Sequence, residues 1–281
     1  MSRTVAQGLA DLRGRLTAAG IDGAATEARR IMAAAMRVPA DRVSLMQTEP
    51  LSHAAEDRLA MLAARRCGRE PLSHILGLKA FYEHEFRVTA DVLDPRPETE
   101  TLVAAALGAP FEAVLDLGTG SGCILLSLLA ARPGARGLGT DISDAALAVA
   151  RQNAGRLGLA GRCEFRRADW FAGVNGRFDL IVSNPPYIAA AEMAALDPEL
   201  RFEPRAALTD EGDGLSAYRA IAAQAAAHLA PGGTVMVEIG WRQGPAVAGL
   251  MRAAGLGGVR ILPDLDGRDR VVCACPAAAN P

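Results

Sequence analysis

The chain has 281 residues, half of them hydrophobic, which suits one large and one small domain whose cores need no disulfide or metal. Its formal net charge is −2, so the basic excess that phosphate binding demands is missing from the total. The five cysteines (67, 123, 163, 273 and 275) include no Cys-x-x-Cys pair and the four histidines are scattered, which speaks against a disulfide framework and against a metal site.

Residues 1–76 read as a small helical domain. Thr4 with Gln7 matches a capping box ahead of Leu9, Leu12 and Leu16 at helical spacing. A second helix spans about 24–36, and a third starts after Ser52, with Leu59 and Leu62 facing inward. No chemistry is legible there, so the segment is packing support or a surface for a partner. Residues 77–93 change to short alternation, with Phe86 and Val88 two apart, and read as a β-hairpin linker. In Asp94-Pro95-Arg96-Pro97-Glu98-Thr99-Glu100 two prolines bar a helix until Glu98, so a fixed turn leads into the helix of Leu102. Strands at 113–117, 137–140, 163–168, 178–183, 234–239 and 271–275 then alternate with helices near 122–132, 143–157, 214–229 and 242–254. That order predicts an α/β domain over 94–281 with a doubly wound, parallel sheet. Cys273 and Cys275 fall on one strand face as small core residues. No stretch approaches the roughly 20 apolar residues of a membrane span, and a soluble, reduced, cytoplasmic chain is expected.

Two places in this domain carry chemistry. The first is Gly118-Thr119-Gly120-Ser121-Gly122, a glycine-rich turn between a buried strand and a helix. Glycines let the backbone approach a ligand, and the helix start offers unpaired N–H groups. Asp141 closes the next strand, where a carboxylate can accept the two hydroxyls of a ribose. The spacing Gly-x-Gly-x-Gly departs from the Gly-x-Gly-x-x-Gly of dinucleotide sites, which weakens a dehydrogenase reading. Asp169-Trp170 closes the third strand, so that the carboxylate can meet an adenine amino group while the indole either covers the ring or serves the core.

The second place is Asn184-Pro185-Pro186-Tyr187, directly after the fourth strand. Two prolines stiffen the backbone and remove two donors, so the carbonyls of Asn184 and Pro185 and the Asn184 amide oxygen can face an outside N–H. Tyr187 offers a flat ring for a planar group. A conjugated amide or amino nitrogen is a poor nucleophile, because its lone pair is delocalised. Acceptors that grip both of its hydrogens can turn that lone pair toward an activated carbon, so alignment and electrostatic support supply the rate. No strong base is demanded, and no histidine lies near the motif.

At these residues the chain resembles the class I methyltransferases with an (Asn/Asp)-Pro-Pro-(Tyr/Phe) motif, and most of all the release-factor glutamine N5-methyltransferases of the PrmC/HemK family. The resemblance extends over nearly the whole chain and is clearest from about Glu70 to Cys275. It includes Glu70-Pro71-Leu72, Ile75-Leu76-Gly77, the turn of residues 95–100, residues 114–122, Asp169-Trp170-Phe171, Arg201-Phe202-Glu203-Pro204, Asp264-Leu265 and Gly267-Arg268-Asp269-Arg270. Residues 276–281 look like an unmatched tail. The family implies a mostly parallel seven-stranded sheet and S-adenosylmethionine as methyl donor, leaving S-adenosylhomocysteine. It implies cofactor contacts at residues 118–122, Asp141, Asp169, Trp170 and Asn184, with Asn184, Pro185, Pro186 and Tyr187 holding the target. That target would be the glutamine of the Gly-Gly-Gln loop in a class-1 peptide chain release factor. Arg96, Glu98 and Glu203 would shape the cleft or form salt bridges, and residues 1–76 would dock the release factor. A ribosomal-protein glutamine or an adenine or guanine amino group is the alternative target. The −2 charge and the lack of a basic, aromatic-interleaved segment argue against nucleic acid. A non-catalytic scaffold would have no use for aligned acceptors.

Overall fold

The structure, a computed structural model, describes residues 3–277; residues 278–281 of the tail lie outside the described residues. The chain divides into two compact units, one of residues up to 77 with 197–202, the other of 78–196 with 203–281.

The smaller unit holds α1 (Val5–Ala18), α2 (Ala24–Met36), α3 (His53–Cys67) and α4 (Leu72–Leu76). Thr4 and Gln7 close the capping box at the start of α1, the Gln7 backbone donating to Thr4 Oγ1 at 3.3 Å and the Thr4 backbone to Gln7 Oε1 at 2.9 Å. Leu12, Leu16, Ile31, Met32 and Leu59 share its core. Arg66 of α3 binds two carboxylates, donating through Nε to Glu27 at 2.6 Å and through Nη1 to Glu199 at 3.1 Å. Arg69 donates to the same Glu199 at 2.7 Å, and Arg201 to the Gly68 carbonyl at 2.8 Å, so residues 197–202 are tied into this unit by ion pairs and a backbone bond.

The larger unit opens with the hairpin of β1 (Leu78–Phe81) and β2 (His84–Arg87). A short 3-10 turn at Pro97–Thr99 precedes α5 (Glu100–Leu107), so helical backbone starts one residue before Glu98, at a proline whose fixed φ suits a first helical position. There follow β3 (Ala113–Leu117), α6 (Cys123–Ala131), β4 (Arg136–Asp141), α7 (Asp144–Arg156), β5 (Cys163–Arg167), β6 (Phe178–Ser183), α8 (Arg205–Leu208), α9 (Ser216–His228), β7 (Leu229–Glu238), α10 (Gly244–Ala253), β8 (Leu256–Pro263) and β9 (Asp269–Pro276). The sheet has seven strands in the order β5-β4-β3-β6-β7-β9-β8, and β9 runs antiparallel to both neighbours while the others are parallel. Alternation along the sequence misses β8, whose two glycines and half-exposed residues blur it, and with it the hairpin that turns β9 round.

Alternate side chains of β3 serve opposite faces. Val114 packs with Leu102 of α5, Leu125 of α6 and Leu147 of α7, whereas Leu115 and Leu117 pack with Tyr218 of α9 and Val247 of α10. Cys273 is buried among the first set, and Cys275 is half-buried, its thiol donating to the Gly257 carbonyl at 3.4 Å. Among the described residues no helix is long and apolar enough to cross a membrane.

One polar residue lies inside β3. Asp116 is fully buried and accepts from Thr119 Oγ1 at 2.6 Å, which braces the turn that follows. Burial pushes its carboxyl up to about 7, against the pull of that hydrogen bond. The folded chain therefore holds this proton between about pH 4 and 7, where an unfolded aspartate has released it. Stability should fall as pH rises through that window. In Asp116→Asn the decline should flatten by roughly 1–3 kcal/mol, read by denaturant unfolding at pH 5 and pH 7.5; equal slopes in both proteins would count against it. In the smaller unit, Arg66→Ala leaves Glu27 unpaired and Glu199 with Arg69 alone, and the stability read by denaturant unfolding should drop by about 2–3 kcal/mol, less than for a fully buried pair because both carboxylates touch solvent.

Candidate active site

Parallel strands bring their C-terminal ends to one edge, and there a cleft of about 500 Å³ opens, within the range of small-molecule sites. The turn after β3 forms its floor. Gly118, Gly120 and Gly122 all have positive φ (67°, 55° and 80°), a region that side chains resist. At Gly122 packing adds to this, since a Cβ would meet Leu126 at 3.1 Å and Ala150 at 3.3 Å. The turn is held from three sides: Thr119 N–H donates to the Thr140 carbonyl at 2.8 Å, Gly120 N–H to Asp141 Oδ2 at 2.9 Å, and Asn153 Nδ2 to the Ser121 carbonyl at 2.8 Å. Asn153 also exchanges two bonds with the backbone of Arg87, so one buried amide joins the hairpin to the turn.

Asp141 accepts from Gly120 and, through Oδ1, from Ser143 N–H at 2.9 Å, which leaves each oxygen a further lone pair. Burial raises its carboxyl, while those backbone bonds oppose the rise. Beside it Ile142 is 59% exposed, an apolar side chain on the wall of the cleft. Asp169 and Trp170 line the same wall, and Trp170 also packs against the core; its φ of 50° is unusual for an aromatic residue and orients the indole.

The lining carries a marked charge. Asp91, Asp94, Asp141, Asp169 and Asp210 face Arg96 as the only basic residue among the lining positions. Burial raises the Asp210 carboxyl, but donors from Ser216, Gly212 and Gly214 outweigh it and hold the group well below the usual carboxylate range. Such a wall repels phosphate and attracts a cation. Arg96 itself donates to Glu203 at 2.5 Å, and Glu203 also accepts from Asp94 N–H at 3.1 Å, so buried Glu203 pins the turn before α5. Glu98 is exposed and lies outside the lining.

At the opposite wall β6 delivers Asn184 and Pro186 to the cleft. Asn184 Nδ2 donates to Thr99 Oγ1 at 3.1 Å. Among the described residues no N–H is directed at Asn184 Oδ1 or at the carbonyls of Asn184 and Pro185. Pro185 is buried beneath the corner. Tyr187 packs its half-buried ring against the core, and burial pushes its hydroxyl up to about 12. Its carbonyl accepts from Gln243 Nε2 at 2.9 Å, and Gln243 Oε1 accepts from Gly240 N–H at 3.0 Å. Gly214 passes so close to that carbonyl that a Cβ would lie 2.3 Å from its oxygen. The cleft thus gathers Gly118, Thr119, Gly120, Ser121, Asp141, Asp169, Trp170, Asn184, Pro186 and Arg96, while Gly122, Pro185, Tyr187 and Glu203 support it from behind. Thr99, Asn153, Asp210 and Gln243 were not singled out from the sequence. Gln243, two residues beyond an exposed Trp241 at the end of a strand, carried a weak signal; the others carried none.

Comparison with known proteins places the chain in a family. Residues 91–215 match the Methyltransferase small domain family and residues 7–77 the PrmC N-terminal domain family. The chain is 59% identical over 266 residues to the release factor glutamine methyltransferase of Cereibacter sphaeroides, covering 94% of this chain and 96% of that one. It is 47% identical over 272 residues to the protein of the same name from Rhodospirillum rubrum, covering 95% and 83%. In fold alone it is similar to the hMettl16 catalytic domain, with a TM-score of 0.55 at 16% identity over 79% of this chain and 84% of that one. With such identity along nearly its full length, this chain belongs to the release factor glutamine methyltransferase family.

Proposed function

We propose that the chain transfers the methyl group of S-adenosylmethionine to the side-chain amide nitrogen of the glutamine in the Gly-Gly-Gln loop of a class-1 peptide chain release factor. The observation that carries this reading is the Asn184 corner. Its side-chain amide lines the same cleft as the glycine turn, with its NH2 end engaged by Thr99 and three carbonyl oxygens of residues 184 and 185 free to accept.

The cleft fits the donor. A compound with a sulfonium and an ammonium group gains from five aspartates against one arginine, whereas a pyrophosphate would be repelled. The N–H groups and small residues of 118–121 would hold its amino-acid part, Asp141 its ribose hydroxyls, Asp169 the adenine amino group, and Ile142 with Trp170 the faces of the ring. When bound, the donor supplies an electrophilic methyl carbon. The chain's own residues do the rest. Asn184 Oδ1 and the carbonyls of residues 184 and 185 grip the two hydrogens of the target amide. That grip turns its lone pair out of conjugation and supports the positive charge that grows on nitrogen. The alkylated nitrogen is acidic enough to release its proton to water, so no dedicated base is needed. The helical unit of residues 1–76 would serve as the docking surface for the release factor.

Incubation with labelled donor and a release factor, followed by peptide mass spectrometry, should place one methyl on that glutamine, and a Gln→Ala release factor should take none. Label on another residue would overturn the substrate. Asn184→Ala should lower turnover by about 10²-fold or more while calorimetry finds donor affinity nearly intact. Asp141→Ala should instead weaken donor binding by roughly 1–3 kcal/mol, the scale of lost charge-assisted bonds; an unchanged titration would remove Asp141 from the site.

A further inference from the structure

We infer that Asn153 is a positioning residue for the donor: its buried amide fixes the floor of the cleft against one of its walls, so that both meet the donor together. The inference rests on the donor assignment of the proposed function and is independent of the release factor.

Asn153 lies in the last turns of α7 and is 1% exposed. The backbone around it asks for one acceptor and two donors. Arg87 N–H donates to Oδ1 at 2.7 Å, while Nδ2 donates to the Arg87 carbonyl at 3.0 Å and to the Ser121 carbonyl at 2.8 Å. A side-chain amide owns that set, one oxygen and two N–H groups. The polarity of these backbone partners is fixed, so the ends of the amide are fixed with it. A reversed amide would set its oxygen against two carbonyls and its NH2 against an N–H. A residue needed only for packing would be apolar, as Ala146, Leu147, Val149, Ala150 and Ala154 are on the same helix.

Both partners lead directly into the cleft. Ser121 ends the stretch 118–121 that lines the floor, and Arg87 stands four residues before Asp91, where the lining stretch 91–96 begins. The chain between Arg87 and that wall rests on α7, Val88 and Val92 packing with Ala146 and Val149. At its other end α7 meets Asp141, which accepts from Ser143 N–H at 2.9 Å. One helix therefore carries the floor, the wall and the carboxylate assigned to the ribose. The hydrogen-bonded joint between floor and wall is the Asn153 amide. A donor lying between them gains from both only while that joint holds their spacing.

The test sets donor affinity against stability, with S-adenosylhomocysteine as the probe in calorimetric titration of the full chain. Asn153→Asp keeps the acceptor for Arg87 N–H and replaces the donor end by an oxygen facing two carbonyls. At pH 8 its affinity should fall by about 10–100-fold, the scale set by buried groups left unpaired. At pH 6 the new carboxyl, buried and facing carbonyls, takes up a proton and can donate again, so the deficit should narrow to within about fivefold. Each value is divided by that of the wild type at the same pH, which removes the titration of Asp141, whose raised carboxyl holds the same turn; the Arg87 side chain is exposed. Asn153→Leu should bind weakly at both pH values. A second measurement needs no variant and decides the matter where neither variant folds. Arg87 lies outside the lining, yet bound probe should slow hydrogen exchange of its amide proton by about tenfold or more, because the donor and Asn153 hold the same joint closed. Variants of lowered stability that bind the probe as the wild type does, or an Arg87 proton indifferent to the probe, would show an amide that only supports the fold and would overturn the inference. A wild type that does not bind the probe would overturn the donor assignment and this inference with it, whereas failure to methylate the release factor would overturn the substrate alone.

Discussion

The site depends on the register of two neighbouring parallel strands. Leu117 of β3 stands opposite Ser183 of β6, and Ser183 Oγ donates to the Leu117 carbonyl at 2.7 Å inside the sheet. Both strands therefore end at the same level. One residue further, the first becomes the glycine turn and the second becomes Asn184. A parallel sheet delivers carboxyl ends to a common edge by its nature, but the register decides whether two particular loops share a cleft. A shift of one residue on β6 would move the corner about 3.3 Å along the strand axis and turn its side chains to the other face. The buried serine bond resists that slip.

Upon this frame, charge selects the ligand class. Glycine turns after a first strand serve many nucleotide folds, and geometry alone does not separate a dinucleotide from a sulfonium donor. The wall does. With Asp94 paired to Lys79 at 3.7 Å, Asp91, Asp141, Asp169 and Asp210 still leave the wall an acidic excess that disfavours phosphate, although the chain as a whole is nearly neutral. Net charge argued against nucleic acid in the sequence; the structure relocates that argument to the cleft, where it acts on the reacting groups. Arg96 does not neutralise the wall, because Glu203 has already claimed it.

What could be read from the sequence and what could not divide along one line. The glycine turn, Asp141 and the corner of residues 184–187 were legible because each is a short contiguous pattern with its own backbone requirement. The helical unit and six of the seven strands were legible for a related reason, since periodicity is local. Thr99, Asn153 and Gln243 act on partners 85, 66 and 56 residues away, and nothing near them in sequence announces the partner. Thr99 sat in plain view within the Pro-Arg-Pro-Glu-Thr-Glu segment, where the charged neighbours drew attention. The fold reverses that emphasis: Thr99 is buried against Asn184 and Glu98 stands exposed. β8 was missed because an edge strand with two glycines lacks the alternation of a half-buried one.

Two buried acids, Asp116 and Glu238, mark where the fold gives up stability for position. Each lies at or near the C-terminal end of a central strand and each has its carboxyl pushed up to about 7 by burial; Asp116 takes its bond from the Thr119 hydroxyl. A hydrophobic residue at either place would pack at least as well and carry no desolvation penalty. A threonine whose proton is claimed from inside the sheet presents a fixed lone pair outward. Thr119 is thereby locked within the glycine turn. The glycine turn is thus set from below, by a buried acid, and alignment of a weak nucleophile requires that its surroundings be fixed before it arrives.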